Sequence, residues 1–153
     1  MAKRSVTQTS FDIDREFRAP PKIVFKAWTD PDAKRRWSDC HSDLSDNQYS
    51  LDFRPGGSEM LRVVNTDGSV QLVQKHYFDI VPEARIIFGY DILLDQKRLS
   101  VSLVTVQFEP SRDGTRMRYH EQVAYLDGHG DLEERIRGTT QCFDRLDLEL
   151  EGG

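Results

Sequence analysis

Three ionisable residues stand where the strand pattern calls for apolar ones. Between Thr115 and Tyr125, Met117, Tyr119 and Val123 share one face of a strand with Glu121, while Arg116, Arg118, His120 and Gln122 take the other. By the same alternation His76 falls in phase with Val70, Leu72, Phe78 and Ile80, and Glu59 with Leu61 and Val63. An ionisable group on an apolar wall is costly unless it is paired or wet. So placed, the three could orient a polar ligand, or serve as acid and base in an enolisation or dehydration. They could equally be structural, turned outward by a β-bulge or paired with an arginine such as Arg62. No nucleophile motif or phosphate-binding loop accompanies them, so the residues name no reaction.

A second group of chemically able residues is weaker. Asp39, Cys40, His41, Asp43 and Asp46 crowd one stretch, but their spacing matches no metal site, and a Ser/Asp-rich run reads as a solvated loop. We therefore expect no metal and no cofactor. Cys40 and Cys142 form no CxxC or CxxH pair and read as two reduced thiols. Trp28 and Trp37 suit either the core or a pocket mouth.

These residues need elements to hold them. Phe11, Ile13 and Phe17 alternate with Asp12, Asp14 and Glu16, which predicts a first strand from Phe11. Ala19-Pro20-Pro21 stops it, with Pro21 fit for a first helical turn, and Asp30-Pro31 offers a cap and first residue for a second short helix ending near Trp37. Six strands are then predicted at 49–54, 58–65, 69–81, 85–94, 99–109 and 115–125, each joint carrying turn residues. Pro55-Gly56-Gly57 is the most heavily punctuated of these joints. Asp131, with Glu134 three residues on, opens a last helix. Its stripe of Leu132, Ile136, Thr139, Phe143, Leu146 and Leu150 must lie on the sheet.

The order of elements and the motifs APPKIVFKAWTDPDAKRRW, DFRPGG, DIVPEARIIF and G-x-x-x-x-FDRLDLEL from Gly138 resemble one family. It is the SRPBCC superfamily of START-like domains, in its bacterial homologues of the heat-shock-protein-90 ATPase activator. The resemblance spans about Phe11 to Leu150. It implies an α+β helix-grip fold, a curved antiparallel sheet of six to seven strands wrapped around a long C-terminal helix, with a cavity for apolar or amphipathic small molecules between them. The chain departs from the family pattern at Ser38 and Thr139, where an aromatic residue is usual, and at Lys75, where glycine is.

At 153 residues, 37% hydrophobic and 31% charged, the chain reads as one domain over 1–153 with its core in about 11–150. No apolar run is long enough to span a membrane, so membrane insertion is not expected and the chain reads as cytoplasmic. From Asp131 to Glu151, seven acids stand against three arginines, which disfavours nucleic acid. The sequence thus predicts a small-molecule binding protein, monomer or homodimer. A cyclase-like or hydrolase-like enzyme using Glu121 and His76 is the first alternative, and a chaperone-binding adaptor in stress response the second. Trp37, Glu59, His76, Tyr77, Phe88, Tyr90, Tyr119, Glu121, Thr139 and Phe143 are the expected ligand-binding residues, with Trp37, Tyr77 and the segment before Asp131 at the cavity mouth.

Overall fold

A computed structural model describes residues 4–39 and 47–152. The elements run β1 (Val6–Phe17), α1 (Pro21–Thr29), α2 (Pro31–Ser38), β2 (Gln48–Leu51), β3 (Ser58–Val64), β4 (Val70–Val81), β5 (Arg85–Leu94), β6 (Lys97–Ser111), β7 (Gly114–Leu126) and α3 (Leu132–Gly152). The strands form one antiparallel sheet in the order β1-β7-β6-β5-β4-β3-β2. Strands β2 to β7 are a meander, and β1 closes against the last of them, with Phe11 opposite Glu121. The sheet is curved and open, and α3 packs against α1, α2 and β1 on its concave side. This is the predicted helix-grip arrangement.

The start signals act as the sequence suggests. Pro21 opens α1, and Asp30 Oδ1 accepts the Asp32 and Ala33 amides at 3.0 and 3.5 Å, capping α2. Asp131 Oδ1 accepts the Glu134 amide at 3.2 Å at the start of α3. Two strand limits differ most from expectation. The first strand starts at Val6, ahead of Phe11; Thr7, Gln8, Thr9 and Ser10 are all polar and leave no alternation to read. Strand β2 stops at Leu51, since the Asp52 amide already bonds Ser58 O across the turn.

A bulge in β4 has the largest effect on the site. Pairing with β5 passes from Tyr77 opposite Phe88 to Asp79 opposite Ile87, so Phe78 is an extra residue, 63% exposed. Before the bulge, odd-numbered residues face inward; after it, Ile80 packs against the core. The phase inferred for His76 from Val70, Leu72, Phe78 and Ile80 fails for two reasons: Ile80 lies beyond the bulge, and Val70 and Leu72, which do share the His76 face, line an outer groove with Arg62. His76 is exposed on the outer face, and Lys75 and Tyr77 take the inner one.

The core centres on Trp28, Trp37, Phe108, Tyr119, Phe143 and Leu146, joining α1, α2, α3 and the β6–β7 strands. The two indoles meet edge to face at 4.8 Å between centroids, and Phe143 lies 6.3 Å from Trp37 and 5.2 Å from Tyr119. The aromatics that could have lined a mouth are thus packed side by side, with Trp37 Nε1 donating to Ala27 O at 2.9 Å. Among the described residues no helix is long and apolar enough to cross a membrane.

Candidate functional site

Between α3 and the concave sheet lies a cleft of about 510 Å³. Strand parity builds its floor. Gln71, Val73 and Lys75 of β4 sit opposite Leu94, Ile92 and Tyr90 of β5, and all six face the cleft with Phe88. Trp28, Trp37, Ser38, Gly138, Thr139 and Phe143 form the roof, and His129, Asp131, Glu134 and Arg135 the side at the start of α3. Ser38, Lys75 and Thr139, the three departures from the resembled pattern, all line it.

Six of the expected residues therefore meet here: Trp37, Phe88, Tyr90, Tyr119, Thr139 and Phe143. Glu59, Tyr77 and Glu121 point inward but are buried behind the lining. His76 lies on the opposite face of the sheet for the reason given above, so the Glu121–His76 acid–base pair is not assembled. Tyr77 is correspondingly absent from the mouth; its ring packs on Phe53 and Phe88.

Glu121 is fully buried and held by four groups. Tyr119 donates to Oε1 at 2.7 Å, while Tyr90 at 2.6 Å, Ser102 at 2.7 Å and Arg135 Nη1 at 2.9 Å donate to Oε2. Arg135 Nη2 also donates to Ser100 Oγ at 2.8 Å. Burial foremost, and then the Glu121 charge, raise the Tyr90 and Tyr119 hydroxyls well above the usual tyrosine range, so both stay neutral donors. A carboxylate saturated by its own protein is a clamp and has little capacity left for a ligand.

Glu59 is the centre of a second cluster. Lys34 Nζ lies 2.8 Å from Oε1 and Lys75 Nζ 3.7 Å from Oε2. Tyr77 donates a 2.5 Å bond to Oε1 and Tyr49 a 3.1 Å bond to Oε2. The expected partner Arg62 is not among them. Burial pushes the Glu59 carboxyl up, but the Lys34 and Lys75 charges outweigh it and bring it down to about 2. Burial lowers the Lys34 ammonium, and because Glu59 opposes this only in part while Lys75 adds to it, the result is about 8.

Lys34 and Lys75 were not anticipated as site residues. Among the described residues no cluster of His, Cys, Asp or Glu could hold a metal ion. Cys40, His41, Asp43 and Asp46 lie outside the described residues. Asp39 is buried, with its side chain accepting from Asn47 Nδ2 at 3.3 Å.

A helix laid in a curved antiparallel sheet over an aromatic-walled cleft defines the helix-grip class. The family described as Activator of Hsp90 ATPase homolog 1-like protein matches residues 18–151, and the chain belongs to that family. A solved structure of an uncharacterised protein from Rhizobium leguminosarum is similar over 99% of both chains, with 45% identity and a TM-score of 0.94. A protein from Rhizobium loti shares 36% identity over 95% of this chain and 99% of its own, with a TM-score of 0.88. A protein of unknown function from Staphylococcus aureus, at 17% identity over 96% of each chain and a TM-score of 0.74, shares the fold. No curated protein matches.

Proposed function

We propose that this protein binds an amphipathic small molecule, apolar and aromatic in its body, in the cleft between α3 and the sheet. The observation that carries this reading is the lining. Seven aromatic side chains face a volume of about 510 Å³, within the range of small-molecule sites. Two of them, Trp28 through Nε1 and Tyr125 through its hydroxyl, bring buried polar atoms that make no hydrogen bond among the described residues. Buried donors are rarely left unmet, and a ligand acceptor is one way to meet them. Catalysis through Glu121 and His76 gains no support, since the two lie on opposite faces.

The test is incubation with a mixed library of lipids and aromatic compounds, followed by native mass spectrometry and calorimetry on whatever stays bound. Thr139→Trp places an indole, which buries about 150–250 Å², against the cleft. It should abolish binding while the protein stays folded. A ligand that binds this variant as well as the wild type would place the site elsewhere.

A further inference from the structure

Two ammonium groups in the cleft wall share one carboxylate. Lys34 and Lys75 both approach Glu59, at 2.8 and 3.7 Å, and the other groups on Glu59 are the hydroxyls of Tyr49 and Tyr77. This part of the wall carries one more positive charge than negative. Among the described residues, the buried pair of Arg135 with Glu121 is balanced. The remaining charged or titratable groups of the lining are Tyr90, Tyr119, Tyr125 and Cys142, and, where the chain enters α3, His129, Asp131 and Glu134, the two acids being exposed there.

The two lysines are not equivalent. The Lys34 side chain is 1% exposed and belongs to Glu59, whereas that of Lys75 is 18% exposed and reaches the cleft. The Lys75 ammonium lies 5.2 Å from the Phe88 ring centre and 5.8 Å from that of Tyr90. These aromatic faces ease the charge without neutralising it. A wholly apolar ligand filling the cleft would strip Lys75 of solvent and leave a surplus cation in a poorly polarisable site. A ligand with an anionic group at the same place would supply the missing counter-charge in a charge-assisted hydrogen bond.

We infer that the cleft selects an aromatic or apolar molecule bearing one carboxylate-type anion, which Lys75 holds while the body rests on Phe88, Tyr90 and Trp28. This rests on the cleft being the ligand site, and the experiment separates the two ideas. 1-Naphthaleneacetate and 1-naphthaleneacetamide have the same ring and reach and differ in charge. Their binding is read by quenching of the two tryptophans, both of which line the cleft.

The wild type should bind the carboxylate at least about tenfold more tightly than the amide, the scale of a hydrogen bond between charged partners. That preference should vanish in Lys75→Met and persist in Lys75→Arg, with circular dichroism and melting showing each variant folded. Equal binding of the two probes by the wild type, or a preference that survives Lys75→Met, would overturn the anion assignment and leave the ligand reading standing. Binding of neither probe would also overturn it. The ligand reading itself fails separately, if Thr139→Trp leaves calorimetric binding of the amide or of a library ligand unchanged.

Discussion

Glu59 and Lys34 are ion-pair partners whose pKa values both move downward, Glu59 to about 2 and Lys34 to about 8. The asymmetry has a plain origin: Glu59 sees two cations, whereas Lys34 sees one anion, a like charge and complete burial. Both are charged at pH 7. Because the folded value of Glu59 lies below its ordinary 4.5, its contribution is complete above pH 4.5 and is lost as pH falls toward 2. Lys34 acts with the same sign in a higher pH window. Between pH 8 and its ordinary 10.5 the unfolded chain keeps a proton that the folded one has released, so stability rises with pH there. Lys34→Met keeps the bulk but leaves Glu59 with the more distant Lys75, which should cost about 3–5 kcal/mol at pH 7, the scale of breaking a buried pair. In urea unfolding of both proteins the difference should shrink as pH falls below 4.5 and Glu59 protonates. A difference that stays constant from pH 7 to pH 3 would refute the role given to this pair.

At the scale of elements, the Pro55-Gly56-Gly57 joint shows how two adjacent glycines serve different ends. Gly56 has φ +82° and open space around it, so it supplies a left-handed turn conformation. Gly57 needs no such angle; a Cβ there would sit 2.1 Å from Asp52 O, and backbone cannot swing aside. The turn is also tied to β4 at its bulge, with the Gly56 amide donating to Tyr77 O at 2.8 Å and the Tyr77 amide to Gly57 O at 3.0 Å. Gly57→Ala should therefore cost at least 2–3 kcal/mol, the upper range for overpacking, and Gly56→Ala only about 1 kcal/mol, the left-handed penalty. Chemical denaturation of the two variants checks the order, and equal losses would refute it. The turns, caps and helix stripe were legible because each is a local pattern. The bulge at Phe78 was not, since one inserted residue leaves no trace in composition yet reverses the face of everything before it. Together with the apolar Val70 and Leu72 on the outer face, that is why the sequence pointed to His76 and passed over Lys75. Lys34 was hidden differently: beside Arg35 and Arg36 it reads as part of a solvated basic face, and only the position of Glu59 on β3 draws it inward.

For the whole molecule, the question is how a helix can lie over a sheet and still leave a cleft beneath it. The C-terminal half of α3 is held by packing: Phe143 and Leu146 are buried against the aromatic core, and Arg145 Nε donates to Trp37 O at 3.0 Å. The N-terminal half has Arg135 as its main tether. Through Glu121, Tyr90, Ser100 and Ser102 this residue ties α3 to β5, β6 and β7 at once. Gly138, Thr139 and Cys142 lie between the two anchorages and line the cleft. The helix is thus a beam fixed at both ends, and the polar end is the one that a single charge can loosen. Glu121→Gln retains the shape and removes the anion that Arg135, 16% exposed, is paired with. The loss should be about 1.5–3 kcal/mol, as for a hydrogen bond between charged groups. It should also be uneven: amide exchange at 136–139 should quicken well beyond that at 143–150, because only the first segment depends on the clamp. Hydrogen exchange measured by mass spectrometry distinguishes this from general destabilisation. Equal acceleration along α3 would mean that the helix moves as one body and that the two anchorages are not separable.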